Sequence, residues 1–492
     1  MNDLKEKTIR GGFARITAQV ANFVFRIGSL MILARLLGPK DFGLVGMVTA
    51  FTGVLNLFRD FGLSTATVQR ETVTEEQVST LFWINVLVGV ILAVLAVALA
   101  PLVVRLYHEP RLFGITAVLS AGFLFNAAGI QHSARLQRQL RFTALAVINI
   151  VSLFVSTIAA ISMAKLGYGY WALVTMTVTL PFTSTIGLWI ATAWIPGAPR
   201  RKAGLRSIIR FGSTITLNGL VVYTAYNLEK ILLGRFWGAE AIGLYGRAYQ
   251  LISLPTDNLN SSVGEVAFSA LSRVQGDPIR LKSYFLKGYS LVLALTIPIT
   301  ITSALFASDL IAVVLGPNWK DAALIFRLLA PTILIFAMIN PLAWLLFSLG
   351  MVGRSLKIAL VLAPLVITGY LCGLRFGPKG VAIGYSTVMA LWLLPHLAWC
   401  VQGTVISLRD ILLTVSRPLL SGIVAALPAF LMYLFSLTIM PALPRLLLET
   451  CILLLVYAAM LFYVMGQKRF YVDLIKGFRK RSTVEKKVLV PA

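Results

Sequence analysis

Five basic side chains interrupt long apolar stretches of this sequence, where a lone charge needs an explanation. They are Arg26, Arg59, Lys230, Arg247 and Arg327. Placing an arginine or lysine in hydrocarbon costs at least about 2.5–3.5 kcal/mol, so each must meet an anion, a carboxylate or water. Arg26 has no acidic residue one helical turn away, which favours an anionic ligand. Arg59 adjoins Asp60 near the end of a stretch, which favours local pairing or a side chain that reaches the membrane surface.

The other three cations have two open explanations each. Lys230 adjoins Glu229, so that an internal ion pair and an anionic ligand both explain it. Arg247 and Arg327 are equally open to either explanation. We predict a cationic site in a cavity, formed by Arg26 and these three residues.

Polar side chains recur on the helical faces that carry these charges. Asn22 precedes Arg26 by one turn, and Tyr223 and Asn227 precede Lys230 at the same helical spacing. A face of this kind should meet water or a ligand rather than lipid. Neutral candidates for ligand contact are therefore Asn22, Asn56, Tyr223 and Asn227.

Acidic residues in the same stretches are candidates for ion coupling. A carboxylate at low dielectric titrates nearer neutrality, so Asp60, Glu229 and Asp257 are candidates to carry H⁺ or Na⁺. The alternative is that each neutralises a nearby base. We prefer that alternative for Asp60, while Glu229 and Asp257 remain open. The three histidines and three cysteines lack the spacing of metal ligands, and we predict no metal, no cofactor and no catalytic group.

The elements that position these residues are membrane helices. Hydrophobic residues make up 58% of the chain and charged residues 13%, with a mean hydropathy of +0.85. A soluble surface needs about a quarter of residues charged. Fourteen apolar runs have roughly the 20 residues that a spanning helix requires. The sequence predicts an all-α integral membrane protein with about 14 transmembrane helices.

Two blocks of the chain match at a constant offset of 200 residues. The matching positions include Arg10/Arg210, Arg35/Arg235, Gly38/Gly238, Gly43/Gly243 and Gly46/Gly246. Such duplication is typical of membrane transporters, in which two similar lobes expose a shared site to each side in turn. We predict two parallel-repeat lobes of six helices around a central cavity, at 1–199 and 200–402. A helix pair at 403–465 and a basic cytoplasmic tail at 466–492 follow.

The distribution of Lys and Arg predicts the orientation. With the N-terminus in the cytoplasm, 29 basic residues fall on inner segments and 10 on outer ones, as the positive-inside rule requires. Both termini are therefore expected in the cytoplasm. The formal net charge of +25 follows from this topology, and we predict no nucleic-acid partner. In the tail, Phe470, Leu474 and Phe478 share a helical face suited to the surface of membrane lipids, with a solvated tail as the alternative.

Several segments resemble one family. ARLLGPKDFGLVGMV, FRDFGLSTATVQR, LQRQLRF, GYGYWALV and NLEKILLGRFWGAEAIGLYGRAYQL are similar to Wzx-type polysaccharide flippases of O-antigen and exopolysaccharide pathways. These belong to the multidrug/oligosaccharidyl-lipid/polysaccharide superfamily. The resemblance implies alternating access around a cationic cavity in the bacterial inner membrane. The cargo that it implies is an undecaprenyl-diphosphate-linked oligosaccharide repeat unit, moved from the inner to the outer leaflet. The resemblance also implies that a polysaccharide polymerase or export machinery is a protein partner.

Two alternatives remain at this stage. A cation-coupled multidrug antiporter of the same superfamily would share the fold, but acidic residues usually dominate the cavity of such exporters. A membrane-embedded polysaccharide polymerase or lipid-linked glycosyltransferase would be expected to carry reactive groups on a sizeable outer loop. The longest predicted outer connection is short, at Ser308 to Asp321.

Overall fold

All regular structure in the described part of the chain is helical. The computed structural model describes residues 22–60, 63–69, 73–199, 206–437, 439–468 and 471. The helices are α1 (22–36), α2 (Pro39–Asn56), α3 (Leu63–Gln69), α4 (Glu75–Tyr107), α5 (Arg111–Arg138), α6 (Phe142–Lys165), α7 (Trp171–Thr192), α8 (Arg206–Arg273), α9 (Pro278–Leu305), α10 (Ala307–Val314), α11 (Lys320–Leu329), α12 (Pro331–Ser348), α13 (Val352–Leu374), α14 (Gly377–Val401), α15 (Leu408–Ser436) and α16 (Ala442–Ala459).

Ten helices in the described ranges are long and apolar enough to cross a membrane. The chain is therefore a multi-pass membrane protein, as its composition predicts. Ten of the fourteen predicted runs correspond to these helices, while the other four correspond to α1, α2 and the two halves of α8. The run predicted from Ala322 to Leu349 is represented by the span Pro331–Ser348, so that Arg327 on α11 precedes the span.

A glycine breaks the chain at equivalent places in the two repeats. Gly38 separates α1 from α2, and Gly238 interrupts α8 with φ 79° and ψ −173°. A positive φ strains residues that carry a Cβ, so glycine suits this position. Helix α8 thus consists of a first arm, 206–237, and a second arm, 239–273. Gly38 and Gly238 are matched by the offset of 200 residues, so the helix is interrupted at both matched positions, although Gly38 has an extended conformation with φ −87°.

The chain divides into two compact units. Unit 1 contains residues 1–247, 314–322 and 359–384, and unit 2 contains residues 248–313, 323–358 and 385–492. The predicted lobe boundaries at 199 and 402 were read from the repeat rather than from compactness, and they remain predictions.

Unit 1 is organised around a corner between α1 and α2. The buried Trp319 donates its indole N–H to the Ala34 carbonyl at 2.8 Å, near the end of α1. Its ring meets Phe42 of α2 edge-to-face at 5.3 Å between centroids. The segment around Trp319, which the sequence places in a short connection, therefore holds the α1–α2 corner.

Unit 2 has an apolar core built mainly from α9, α12, α14 and α15. Buried hydroxyl groups tie the helices of this core together: Tyr289 donates to the Met338 carbonyl at 3.1 Å, and Tyr457 donates to the Ala294 carbonyl at 3.0 Å. Tyr471 of the tail lies within 2.9 Å of the Ser290 hydroxyl and is buried. The predicted amphipathic face at Phe470, Leu474 and Phe478 lies outside the described residues.

The start of α4 is defined by a local sequence signal. Thr74 and Gln77 form a capping box at α4, in which each side chain accepts a hydrogen bond from the other's backbone N–H at 3.2 Å.

In the connection between α4 and α5, Arg111 donates to Glu109 at 2.8 Å. This hydrogen bond from Arg111 lowers the pKa of the Glu109 carboxyl below its ordinary value.

A buried ion pair fixes the last helix hairpin in unit 2. Arg445 of α16 donates through Nε to Asp309 at 2.7 Å, and it also donates to the Leu437 carbonyl at the end of α15 at 2.9 Å. The Asp309 side chain is only 3% exposed. Glu449 is fully buried nearby and accepts from the Ser436 hydroxyl at 3.0 Å. The single guanidinium therefore compensates a site that contains two carboxylates.

We expect Arg445→Ala to destabilise the protein strongly. Removing one partner of a buried pair leaves an uncompensated charge and costs about 3–5 kcal/mol. Thermal unfolding of the purified protein in detergent should show a large drop in midpoint. Arg409→Ala, at an exposed position on α15, is the matched control. The double variant Arg445→Ala/Asp309→Asn should recover part of the loss, and an Arg445→Ala protein as stable as the control would contradict this account.

Candidate functional site

The structure places most of the predicted site residues in unit 1. Nine of the eleven belong to that unit: Asn22, Arg26, Asn56, Asp60, Tyr223, Asn227, Glu229, Lys230 and Arg247. Asp257 and Arg327 belong to unit 2, and both side chains are exposed.

Arg26 lies on α1 with its side chain exposed, and Asn22, one turn earlier, is partly buried. The Arg26 backbone carbonyl accepts a hydrogen bond from the Ser29 hydroxyl at 3.0 Å. In the part of the chain that the structure describes, no carboxylate lies within 4 Å of the Arg26 guanidinium. The guanidinium therefore keeps its donors for a ligand or water.

A hydrogen-bonded ladder runs along the first arm of α8. Lys230 donates through Nζ to the Asn227 side-chain carbonyl at 2.6 Å, and the Asn227 amide donates to the Tyr223 backbone carbonyl at 3.0 Å. One helical turn separates successive members, as the sequence spacing predicts. The ladder presents an ammonium group at one end and a phenol at the other.

Tyr223 links this ladder to α2. Its hydroxyl lies 3.4 Å from the Thr49 carbonyl. A Cβ at Gly53 would lie 1.7 Å from the same hydroxyl oxygen, so the missing side chain at Gly53 makes room for the phenol. Asn56, one turn further along α2, donates its amide to the Thr52 carbonyl at 3.1 Å and is exposed. The Tyr223 phenol, from the first arm of α8, therefore contacts α2 one turn before Asn56.

Glu229 does not pair with Lys230. It is 2% exposed, and its Oε2 atom has no hydrogen-bond partner. The nearby Tyr107 hydroxyl is also buried without a partner. Within the described ranges, no ion pair joins the two charged neighbours of α8. The Lys230 ammonium is therefore hydrogen-bonded to a neutral amide oxygen, and its charge has no carboxylate partner among the described residues.

The preferred pairing of Arg59 with Asp60 is not what the structure shows. Arg59 donates through Nη1 to the Asn126 side-chain carbonyl at 3.2 Å. Asp60 accepts from the Ser64 backbone N–H at 3.0 Å and from the Asn85 amide at 3.3 Å. Adjacent residues on one backbone point in different directions, which is why sequence proximity is a poor predictor of pairing here.

Arg247 lies at the corner where α1 meets α2. Its guanidinium lies 4.5 Å from the centroid of the Phe42 ring, within the range of a cation–π contact. This cation–π contact gives the Arg247 guanidinium an aromatic partner that lies some 200 residues away in the sequence. Arg247 is therefore a weaker candidate for ligand binding than Arg26 or Lys230.

Repeat-related glycines meet at the same corner. A Cβ on Gly43 would lie 1.7 Å from the Ala239 carbonyl oxygen, and a Cβ on Gly243 would lie 1.8 Å from the Pro39 carbonyl oxygen. Pro39 and Ala239 are themselves related by the 200-residue offset. The backbones of α2 and the second arm of α8 are thus in direct, pseudosymmetric contact, which small residues permit in membrane helices.

Unit 1 carries side chains that can bind an anion and hydroxyl groups. Arg26 supplies a planar fork of donors suited to phosphate oxygens, and Lys230 supplies a point charge. The amides of Asn22, Asn56 and Asn227 offer donors and acceptors to hydroxyl groups.

Sequence comparison identifies relatives in surface polysaccharide synthesis. The family model described as "Polysaccharide biosynthesis protein" matches residues 32–324. Lipopolysaccharide biosynthesis protein WzxC of Escherichia coli (strain K12) is 25% identical over 399 residues, which cover 79% of this chain and 80% of WzxC. Teichuronic acid biosynthesis protein TuaB of Bacillus subtilis (strain 168) is 30% identical over 298 residues, 59% of this chain and 61% of TuaB.

Solved structures share the fold. The lipid II flippase MurJ in an inward closed conformation has a TM-score of 0.74 at 15% identity, covering 95% of this chain and 100% of MurJ. An inward-facing multidrug resistance MATE family transporter of the MOP superfamily has a TM-score of 0.63 at 14% identity, over 79% of this chain and 97% of the transporter. The predicted resemblance is confirmed, and the chain belongs to the polysaccharide biosynthesis protein family.

Proposed function

We propose that this protein is a flippase that moves a lipid-linked oligosaccharide across the cytoplasmic membrane. The observation that carries the proposal is that the two cations of unit 1, Arg26 and Lys230, lack carboxylate partners in the described part of the chain. Together with the neighbouring amides they form, in this proposal, one cationic face. Relatives named for lipopolysaccharide, teichuronic acid and amylovoran biosynthesis support it, and one relative is named a succinoglycan biosynthesis transport protein.

The chemistry of the cargo matches the chemistry of the face. An undecaprenyl-diphosphate-linked repeat unit carries a diphosphate, which needs cations, and a sugar chain, which needs amide and hydroxyl contacts. Arg26 and Lys230 hold the diphosphate. Asn22, Asn56 and Asn227 contact the sugars next to it, and Tyr223 offers its phenol ring.

Alternating access is the mechanism. Two six-helix lobes at 1–199 and 200–402 rock about the shared site, and a further helix pair at 403–465 completes fourteen spans. Both termini lie in the cytoplasm, so that the α1–α2 corner is at the outer end. The glycine contacts between α2 and α8 close that outer end while cargo enters from the inner leaflet.

Ion coupling supplies the direction of transport. Glu229 is the first candidate among the three acidic residues, because its buried carboxylate has an oxygen without a hydrogen-bond partner in the described structure. Asp60 is held by Ser64 and Asn85, and Asp257 is exposed. The driving ion is H⁺ or Na⁺, and the flipped unit passes to a polysaccharide polymerase and export machinery.

Deletion of the gene, followed by chemical analysis of lipid-linked intermediates, tests the proposal. A flippase defect leaves complete lipid-linked oligosaccharide on the inner leaflet, protected from reagents added outside intact cells. A defect in a polymerase or glycosyltransferase leaves single or incomplete units, exposed outside or unattached. Normal surface polysaccharide with altered drug tolerance would instead indicate a multidrug antiporter and contradict the proposal.

A further inference from the structure

Unit 1 contains a polar cavity whose lining includes neither Arg26 nor Lys230. Its volume is about 370 Å³, which falls in the range of roughly 300–1,000 Å³ typical of small-molecule sites. The cavity lies between the turn after α2 and helices α5, α6 and α7. Hydroxyl and amide groups dominate its lining, among them Asn126, Ser133, Asn149 and Ser184.

Arg59 offers unused donors to this cavity. Its Nη1 atom donates to Asn126, whose own amide is fixed by the Gly122 carbonyl at 2.7 Å. The Nε atom of Arg59 is buried and has no hydrogen-bond partner. Leaving a buried donor unsatisfied is costly, and a guanidinium has five N–H groups to satisfy. A ligand that supplies acceptor oxygens next to Arg59 would remove this penalty.

Asp60 is the other charged group in the lining, and the protein itself holds it. Beyond Ser64 and Asn85, the network continues as Gln131 donates to Asn85 at 3.3 Å and Thr67 donates to Gln131 at 3.0 Å. The carboxylate thus stays in place as a fixed negative charge. Because Arg59 and Asp60 are the titratable residues among the described lining residues, the formal charge of the lining is zero.

This charge balance selects the class of ligand. A diphosphate carries at least two negative charges and would meet only one cation, next to a fixed carboxylate. A lipophilic drug cation would meet a guanidinium whose donors are unused. An uncharged ring that bears several hydroxyl groups satisfies the Arg59 donors, the Asn149 amide and the Ser184 hydroxyl, since the last two also have no hydrogen-bond partner in the described structure.

We propose that this cavity binds one uncharged sugar residue of the oligosaccharide cargo and thereby selects which repeat unit is moved. The inference rests on the proposed flippase function for the presence of a glycan. Asn56 ends α2 and Arg59 follows three residues later, so the same stretch of chain leads from the cationic face to the cavity. Unit 1 then recognises the diphosphate and a sugar at separate places.

The test measures the binding affinities of two ligands for the full-length protein in nanodiscs of phosphatidylcholine. The first probe is the reducing oligosaccharide repeat released by mild hydrolysis from the host's own surface polysaccharide. The second probe is inorganic pyrophosphate. Arg59→Gln removes the donor, and Ser184→Phe fills the cavity without touching the Asp60 network. Arg105→Gln, at an exposed arginine of α4, is the matched control.

We expect Arg59→Gln to weaken oligosaccharide binding about tenfold or more, and Ser184→Phe to abolish it, with the control unchanged. Pyrophosphate affinity should stay unchanged in both variants, which also shows that they are folded, and pyrophosphate should not displace the oligosaccharide. Unchanged oligosaccharide affinity in both variants would overturn the proposal. Loss of pyrophosphate binding in Arg59→Gln would also overturn it, because the cavity would then be an anion site.

The outcomes separate this inference from the proposed function. A wild-type protein that translocates lipid-linked oligosaccharide but does not bind the free repeat overturns the sugar cavity and leaves the flippase intact. A wild-type protein that binds the free repeat through Arg59 but translocates no lipid-linked form contradicts the flippase and supports the cavity.

Discussion

Replacing Arg26 or Lys230 by alanine is expected to abolish export of surface polysaccharide while folded protein remains in the membrane. Each substitution removes a charge-assisted hydrogen bond to the diphosphate, worth about 1.5–3 kcal/mol. The affinity for the cargo should therefore fall roughly 10- to 100-fold per site. Export in a deletion strain complemented with each variant measures the effect, with protein levels checked by immunoblot.

A lysine substitution at Arg26 refines this first prediction. Arg26→Lys keeps the charge but loses the planar fork, so partial activity indicates a role for charge and complete loss indicates bidentate contact. Arg105→Ala, at an exposed arginine of α4, should export normally. Full export by both Arg26→Ala and Lys230→Ala would remove the cationic face from the mechanism.

The second large effect is expected at the backbone contact between the repeats. Gly43→Ala and Gly243→Ala each place a methyl group where a carbonyl oxygen now lies, at 1.7 Å from Ala239 and 1.8 Å from Pro39. Backbone atoms cannot move aside as a flexible side chain can, so α2 and α8 must separate. In the proposed orientation, the outer end should then fail to close. Transport should fall at least about tenfold, since a shift of about 1.4 kcal/mol in the conformational equilibrium suffices.

Gly246→Ala is the control for this second prediction. It lies on the same arm of α8, and a Cβ there would meet no heavy atom within 4 Å. Transport is measured together with labelling of a cysteine introduced at Ala50 on α2, in a chain whose three native cysteines are replaced by serine. This distinguishes a conformational effect from misfolding, because a chain that stays open outward should label faster from outside. Gly43→Ala and Gly243→Ala proteins that transport as well as Gly246→Ala would show that this contact is not a gate.

The sequence repeat predicts the local structure of this region well. The offset of 200 residues matches Gly43 with Gly243, and the structure gives both glycines reciprocal backbone contacts, as expected when equivalent residues in a duplicated fold meet equivalent neighbours. Helical spacing likewise predicts the ladder from Tyr223 to Lys230, since residues three or four apart share a face.

The helical period and the repeat offset do not predict contacts between distant segments. Arg445 pairs with Asp309, 136 residues away, and neither helical period nor repeat offset relates the two. Arg247 stacks on Phe42, 205 residues away. Arg59 points to Asn126 rather than to its neighbour Asp60, and the cavity beside it was therefore missed. The signal available in the sequence was an arginine at the end of an apolar run.

The most direct test of the central claim is translocation by the purified protein. Fluorescently tagged lipid-linked oligosaccharide is placed in the inner leaflet of proteoliposomes, and its arrival outside is followed by quenching with a membrane-impermeant reagent. The account predicts translocation by the wild-type protein under an H⁺ or Na⁺ gradient, and its loss in Arg26→Ala/Lys230→Ala. Equal rates with wild-type protein, the double variant and empty liposomes would contradict it.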